Sequence, residues 1–120
     1  MKRYVFLIAY EPGGYEAASE EERQGYFDAH HAFEQYVDDH GRQLGSAALA
    51  DADTATTVRH GEGDIHVTDG PFAETAEQVG GYYDVELPDL DTALAAAKLL
   101  PAAYAVEVRP TVRIEGYEPA

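Results

Sequence analysis

Hydrophobic positions along this chain change their spacing at almost every turn signal, and each change marks an element. From Tyr4 to Tyr10 both parities are apolar, with Tyr4, Phe6, Ile8 and Tyr10 on one side and Val5, Leu7 and Ala9 on the other. That is the pattern of a strand covered on both faces. After the turn Pro12-Gly13-Gly14, Ser19 and Glu22 have the spacing of a capping box, and Tyr26, His30, Phe33 and Val37 recur at helical intervals. A helix over residues 20–39 is predicted, stopping before Gly41. Residues 43–50 are poor in β-branched side chains, but their length and bounding turns favour a strand. Thr56–Arg59 and Asp64–Thr68 flank His60-Gly61-Glu62-Gly63 and predict a hairpin. Val79–Leu87 predicts a further strand. Asp89 or Asp91 then caps a short helix carrying Leu90, Ala93, Leu94, Ala97 and Leu100, ahead of Pro101. From Tyr104 to Ile114, apolar Tyr104, Val106, Val108, Val112 and Ile114 alternate with Glu107, Arg109, Thr111 and Arg113, predicting a last strand.

Strand, helix, strand, hairpin, strand, helix, strand describes an α+β sandwich with helices on one face of a mainly antiparallel sheet. Its natural topology is ferredoxin-like, in a single domain spanning residues 1–120, since 120 residues build one core but not two. Such a sheet has a bare second face, whereas Tyr4–Tyr10 asks for cover on both. A homodimer that supplies this cover is therefore expected.

Composition narrows the function classes. The 23 acidic residues against eight basic ones give a net charge of −15, a field that repels phosphate polymers and anionic lipid. Nucleic acid is not an expected partner. Solubility accounts for such a surface, and attraction of a cationic ligand or a basic partner is the alternative. With no cysteine, disulfides, thiolate catalysis and thiolate metal sites are all absent. Met1-Lys2-Arg3 leads into an apolar run too short for a signal core, and no run approaches the length of a membrane helix, so the expected location is cytoplasmic, without a membrane partner. Neither Gly61-x-Gly63 nor Gly13-Gly14 has the context of a dinucleotide loop, so no cofactor is expected.

His30 shares the helical stripe of Tyr26, Phe33 and Val37 and therefore points toward the sheet. It reads either as a core histidine bonded to a carbonyl or hydroxyl or as a poised acid or base. If Ile65 and Val67 face the core, alternation sends Asp69 to the same side, where it can orient His30 for acid–base work; otherwise Asp69 stabilises its turn. His31 points about 100° away from His30 and makes no clamp with it. His60, Asp64 and His66 share a parity across the hairpin, a weak metal signal that solvent-facing polar residues also explain, and no metal is expected. Tyr82 and Asp84, with Glu107 and Arg109, fall on the polar parity of two strands. They pair with one another if that face is covered, with ligand binding by Tyr82 and Arg109 as the alternative. Glu74 lies within reach of a pocket or simply in solvent.

Val67-Thr68-Asp69-Gly70-Pro71-Phe72-Ala73-Glu74-Thr75 is a specified turn between two strands, because Gly before Pro fixes a bend. Together with Ala29-His30, Phe33, Ala55-Thr56-Thr57-Val58-Arg59, Gly80-Gly81-Tyr82-Tyr83 and Val106-Glu107-Val108-Arg109-Pro110, this segment closely resembles the DGPF proteins of the YCII-related superfamily. The resemblance implies a ferredoxin-like subunit that pairs as a dimeric α+β barrel. It implies less about chemistry, because the DGPF branch largely lacks an assigned reaction. The wider group has a His–Asp site for which His30 and Asp69 are the nearest matches. Relatives with the dimeric barrel include isomerases, lyases and cofactor-independent oxygenases acting on small molecules. Proximity of some DGPF genes to those of alternative sigma factors implies a regulatory or sensing role instead. One departure stands out: Ala76 occupies a position where the family commonly carries Lys, so an anion contact made there by relatives is not expected here.

Overall fold

In the computed structural model, which describes residues 1–119, the chain forms β1 (Lys2–Tyr10), α1 (Gly14–Ala17), α2 (Glu20–His40), β2 (Arg42–Ala48), a 3-10 turn (Ala52–Thr54), β3 (Thr56–His60), β4 (Ile65–Asp69), β5 (Gln78–Leu87), α3 (Leu90–Ala97) and β6 (Ala105–Pro110). Strands run in the order β2-β5-β1-β6 with every pairing antiparallel. Leaving aside the β3–β4 hairpin inserted between β2 and β5, this is the ferredoxin-like arrangement.

Local chemistry sets the helix limits. Ser19 Oγ accepts from the Glu22 N–H while the Glu22 carboxylate accepts from the Ser19 N–H, each at 3.1 Å, so α2 opens on a complete capping box. These bonds hold the Glu22 carboxyl below its ordinary range. Asp89 caps α3 by accepting from the N–H of Thr92 at 2.8 Å.

Helices α2 and α3 cover one face of the sheet. Tyr4, Phe6 and Ile8 of β1 and Tyr83, Val85 and Leu87 of β5 are buried beneath Phe33 and Val37 of α2 and Ala93 and Ala96 of α3. Phe6 meets Phe33 edge-on at 5.2 Å, and Phe33 meets Tyr83 at 4.4 Å between ring centroids. The alanines of α3 present little bulk, which lets this helix pack closely on the sheet.

The opposite sheet face carries Val5, Leu7 and Ala9, all only partly buried. Register places Tyr82 and Glu107 on either side of Leu7, and Asp84 and Arg109 on either side of Val5. The four polar residues therefore share a face, but they do not simply pair among themselves. Arg3 takes Asp84 in a bidentate ion pair at 2.9 and 2.6 Å, while Arg109 lies 3.6 Å from Glu107 on its own strand. Arg42 pairs with Glu86 farther along the same face.

Two elements end earlier than their patterns predict. Strand β6 stops at Pro110, opposite Tyr4, because β1 itself begins at Lys2 and offers little further backbone to pair with; Val112 and Ile114 are exposed. Helix α3 ends at Ala97, with Leu100 reaching the core from the turn that follows.

The β3–β4 hairpin is a separate two-stranded sheet. Its register sets Val58 opposite Val67 and His60 opposite Ile65, yet these three aliphatic side chains are 58–65% exposed. A radius of gyration of 16.8 Å, against about 14 Å for a compact chain of this length, reflects an extended outline of 50 × 44 × 22 Å.

Candidate functional site

Helical spacing places His30 on the sheet-facing side of α2, three residues before the fully buried Phe33. Both ring nitrogens find hydroxyl partners from distant parts of the chain. Nδ1 lies 2.8 Å from Tyr83 Oη on β5, and Nε2 lies 3.0 Å from Tyr104 Oη, just before β6. The Tyr83 hydroxyl in turn donates to Glu34 Oε2 at 2.7 Å. Since Tyr83 spends its one proton on Glu34, it must accept from His30 Nδ1–H, which leaves Nε2 to accept from the Tyr104 hydroxyl. Donors and acceptors thus run in one direction, from Tyr104 through His30 and Tyr83 to Glu34.

Burial of His30 lowers its pKa, opposed by the negative charge of Glu34 and assisted by His31. A neutral imidazole at neutral pH follows. Tyr83 is pushed far up by burial and by its bond to Glu34, and burial with neighbouring Tyr10 and Tyr26 pushes Tyr104 up to about 12. Both tyrosines therefore keep their hydroxyl protons in the resting site.

Two adjoining cavities reach this chain of groups. One of about 190 Å³ is bordered by His30, Tyr83, Tyr82 and Tyr104. The other, of about 610 Å³, is lined by Tyr10, Tyr15, Tyr26 and Tyr104 with Glu11 and Glu77, and Ala76 also lies on its wall. Tyr10 and Tyr104 border both. A β-bulge helps to aim Tyr10: the register between β1 and β5 passes from Ile8–Gly81 to Ala9–Val79, leaving Gly80 as the extra residue. The Tyr10 ring lies against that glycine, in space a Cβ would fill.

Asp69 lies elsewhere. It is exposed on β4, paired with Thr56, and borders a different cavity of about 430 Å³ together with Glu74. The expected meeting of Asp69 and His30 does not occur, because the Ile65–Asp69 strand belongs to the projecting hairpin, so its alternation does not point into the helix–sheet layer. Gly70, at φ 104°, adopts the left-handed region that favours glycine, and the turn around it is tied to β3. Its N–H donates to the Ala55 carbonyl, its own carbonyl accepts from Thr57 Oγ1, both at 2.7 Å, and Arg59 donates to the Phe72 carbonyl. The motif closes the hairpin base.

His60 and His66 lie on opposite faces of the hairpin, since His60 pairs with Ile65 and His66 with Arg59, so the shared parity expected of them is broken. His66 instead stands 3.2 Å from Asp64 in solvent. Among the described residues no cluster of three or more His, Asp or Glu side chains is arranged to hold a metal ion. Arg109 is exposed at the open sheet face and lines neither tyrosine-bordered cavity.

Glu34, Tyr83 and Tyr104 had not been singled out by their sequence pattern. Glu34 carries a usable signal, four residues after His30 on one helix. Tyr83 and Tyr104, 53 and 74 residues from His30, carry none.

Comparison with known proteins places this architecture. The YCII-related domain matches residues 2–115. The chain belongs to the YCII-related family. A similar protein, an uncharacterized one from Rhizobium meliloti (strain 1021), is 44% identical over 68 residues, covering 53% of this chain and 55% of that protein. The chain thus spans about half the length of that curated relative. No helix among the described residues is long and apolar enough to cross a membrane.

Proposed function

We propose that this YCII-related protein binds a small organic molecule in the tyrosine-lined cavity and moves a proton on it, as in an isomerisation or elimination. The observation that carries this reading is the directed chain Tyr104–His30–Tyr83–Glu34, whose outer member, Tyr104, lines both cavities. As Tyr104 Oη takes a proton from the ligand, its own proton passes to His30 Nε2. The imidazolium so formed keeps its Nδ1–H on Tyr83, and the Glu34 carboxylate offsets its charge. Return of the proton through Tyr104 to another atom of the ligand completes an isomerisation; in an elimination the leaving group departs with its bonding pair and takes that proton from Tyr104, restoring the resting site. Asp69 takes no part in this scheme.

The test is solvent-deuterium exchange into a panel of small carbonyl and cyclic compounds that bind the protein. Tyr104→Phe and His30→Gln each lower exchange by about 10²-fold or more while circular dichroism stays native. Exchange that persists in both variants overturns the scheme.

A second reading is a non-catalytic ligand-sensing dimer with a regulatory role linked to alternative sigma factors. It is favoured by the resting protonation of both tyrosines, which suits a fixed hydrogen-bond network as well as a relay. Ligand binding without any exchange selects it. Both readings place the protein in the cytoplasm as a homodimer built on the open sheet face, where Val5, Leu7 and Ala9 form an apolar stripe rimmed by ion pairs. Light scattering on Leu7→Glu, expected to give a monomer, checks the pairing.

A further inference from the structure

The larger cavity has walls of one chemical character. Four phenol rings run in sequence around it: Tyr10 to Tyr104 at 5.2 Å, Tyr104 to Tyr26 at 6.2 Å and Tyr26 to Tyr15 at 6.4 Å between centroids. Its charged lining residues are Glu11 and Glu77, with no Lys, Arg or His among the lining residues. Two further carboxylates, Asp51 and Glu16, act on Tyr10, whose hydroxyl is raised first by burial and then by their charge. Arg23 sits 4.7 Å from the centre of the Tyr15 ring. Its guanidinium already donates to the Tyr15 and Glu16 carbonyls, both at 2.9 Å, so those donors are committed within the protein.

Aromatic faces carry negative potential and attract cations, most strongly where water is excluded. An anionic ligand would face the carboxylates of Glu11 and Glu77 here and gain no cation from the cavity wall. A neutral ligand would gain the apolar contact but nothing from the charge. A cation gains both, and the strongly acidic surface raises its local concentration.

We propose that this cavity selects a small organic cation, an alkylammonium or quaternary ammonium group, held against Tyr26 and Tyr104 with Glu11 and Glu77 as counter-charges. The proposal rests on the reading above that this cavity is the ligand site, and it names the class of ligand.

The test is an NMR titration with three probes of nearly equal shape: choline, its neutral isostere 3,3-dimethyl-1-butanol, and 3,3-dimethylbutyrate. Choline is expected to bind about tenfold or more tightly than the alcohol, with the carboxylate weakest, and to shift the Tyr26 and Tyr104 ring signals. Tyr26→Leu and the double variant Glu11→Gln/Glu77→Gln each weaken choline by about three- to tenfold. Phe72→Ala, whose ring lies outside this cavity, leaves choline affinity within about twofold. Equal affinity for choline and the alcohol, preference for the carboxylate, absence of saturable choline binding, or indifference to both cavity variants overturns the proposal. If choline fails while deuterium exchange still requires Tyr104 and His30, the cation class falls and the acid–base reading stands. If choline binds as expected while exchange is absent, the acid–base reading falls and the cation site stands.

Discussion

The helix-covered sheet and the β3–β4 hairpin are built from similar residues but hold them under opposite conditions. In the first, Phe6, Phe33, Val37, Val85 and Leu87 are wholly buried; in the second, Val58, Ile65 and Val67 stand largely in solvent. The difference follows from what each can pack against. Strands β1 and β5 have neighbours on both edges and helices above, whereas β3 and β4 have only each other, and a lone two-stranded ribbon is of marginal stability. The candidate site follows the same division. His30, Tyr83 and Glu34 sit on elements locked by the core, which gives their hydrogen bonds fixed lengths and directions. The most recognisable motif, Asp69-Gly70-Pro71-Phe72, sits on the ribbon and serves its turn.

Substitutions break or sharpen this contrast. Phe33→Ala has the largest expected effect, about 3–5 kcal/mol from lost burial and a cavity beneath α2, read as a lower urea midpoint. The same experiment on Phe72→Ala, whose ring is 77% exposed, is expected to move stability by less than about 0.5 kcal/mol. Comparable losses at the two positions would erase the contrast. Between these extremes, Ser19→Ala removes the acceptor that opens α2 and costs about 1 kcal/mol.

A smaller effect is tied to pH. His30 has a folded pKa below its ordinary value, so in the window from about 6.5 downward the unfolded chain binds the proton more readily than the folded one. Stability therefore declines as pH falls through that window, before the lowered carboxyls of Glu22 and Asp89 begin to contribute. Denaturation midpoints between pH 7.5 and 5.5 are expected to fall in the wild type and to flatten in His30→Gln. An unchanged slope in that variant assigns the dependence to another group. Glu34→Gln sharpens the point, since loss of the carboxylate charge lowers the His30 titration further, as ring NMR signals would record.

Much of the fold is legible in the sequence. The capping box at Ser19 and Glu22, the helical stripe ending in Phe33 and Val37, the hairpin around Gly61–Gly63 and the ferredoxin-like order all follow from local spacing and turn chemistry. Strand parity also placed Tyr82, Asp84, Glu107 and Arg109 on one face. It failed at Asp69 because alternation tells which residues share a face but not what that face looks upon.

The site was half legible for the same reason. Sequence by itself placed His30 on the inner stripe of α2, and the i, i+4 rule sets Glu34 beside it. Only the tertiary structure chose Tyr83 and Tyr104 as its partners. Those contacts close over 53 and 74 residues, through an inserted hairpin and a second helix, and depend on sheet order. Local periodicity fixes the direction of a side chain within its element, while the identity of what it meets is a property of how the elements are stacked.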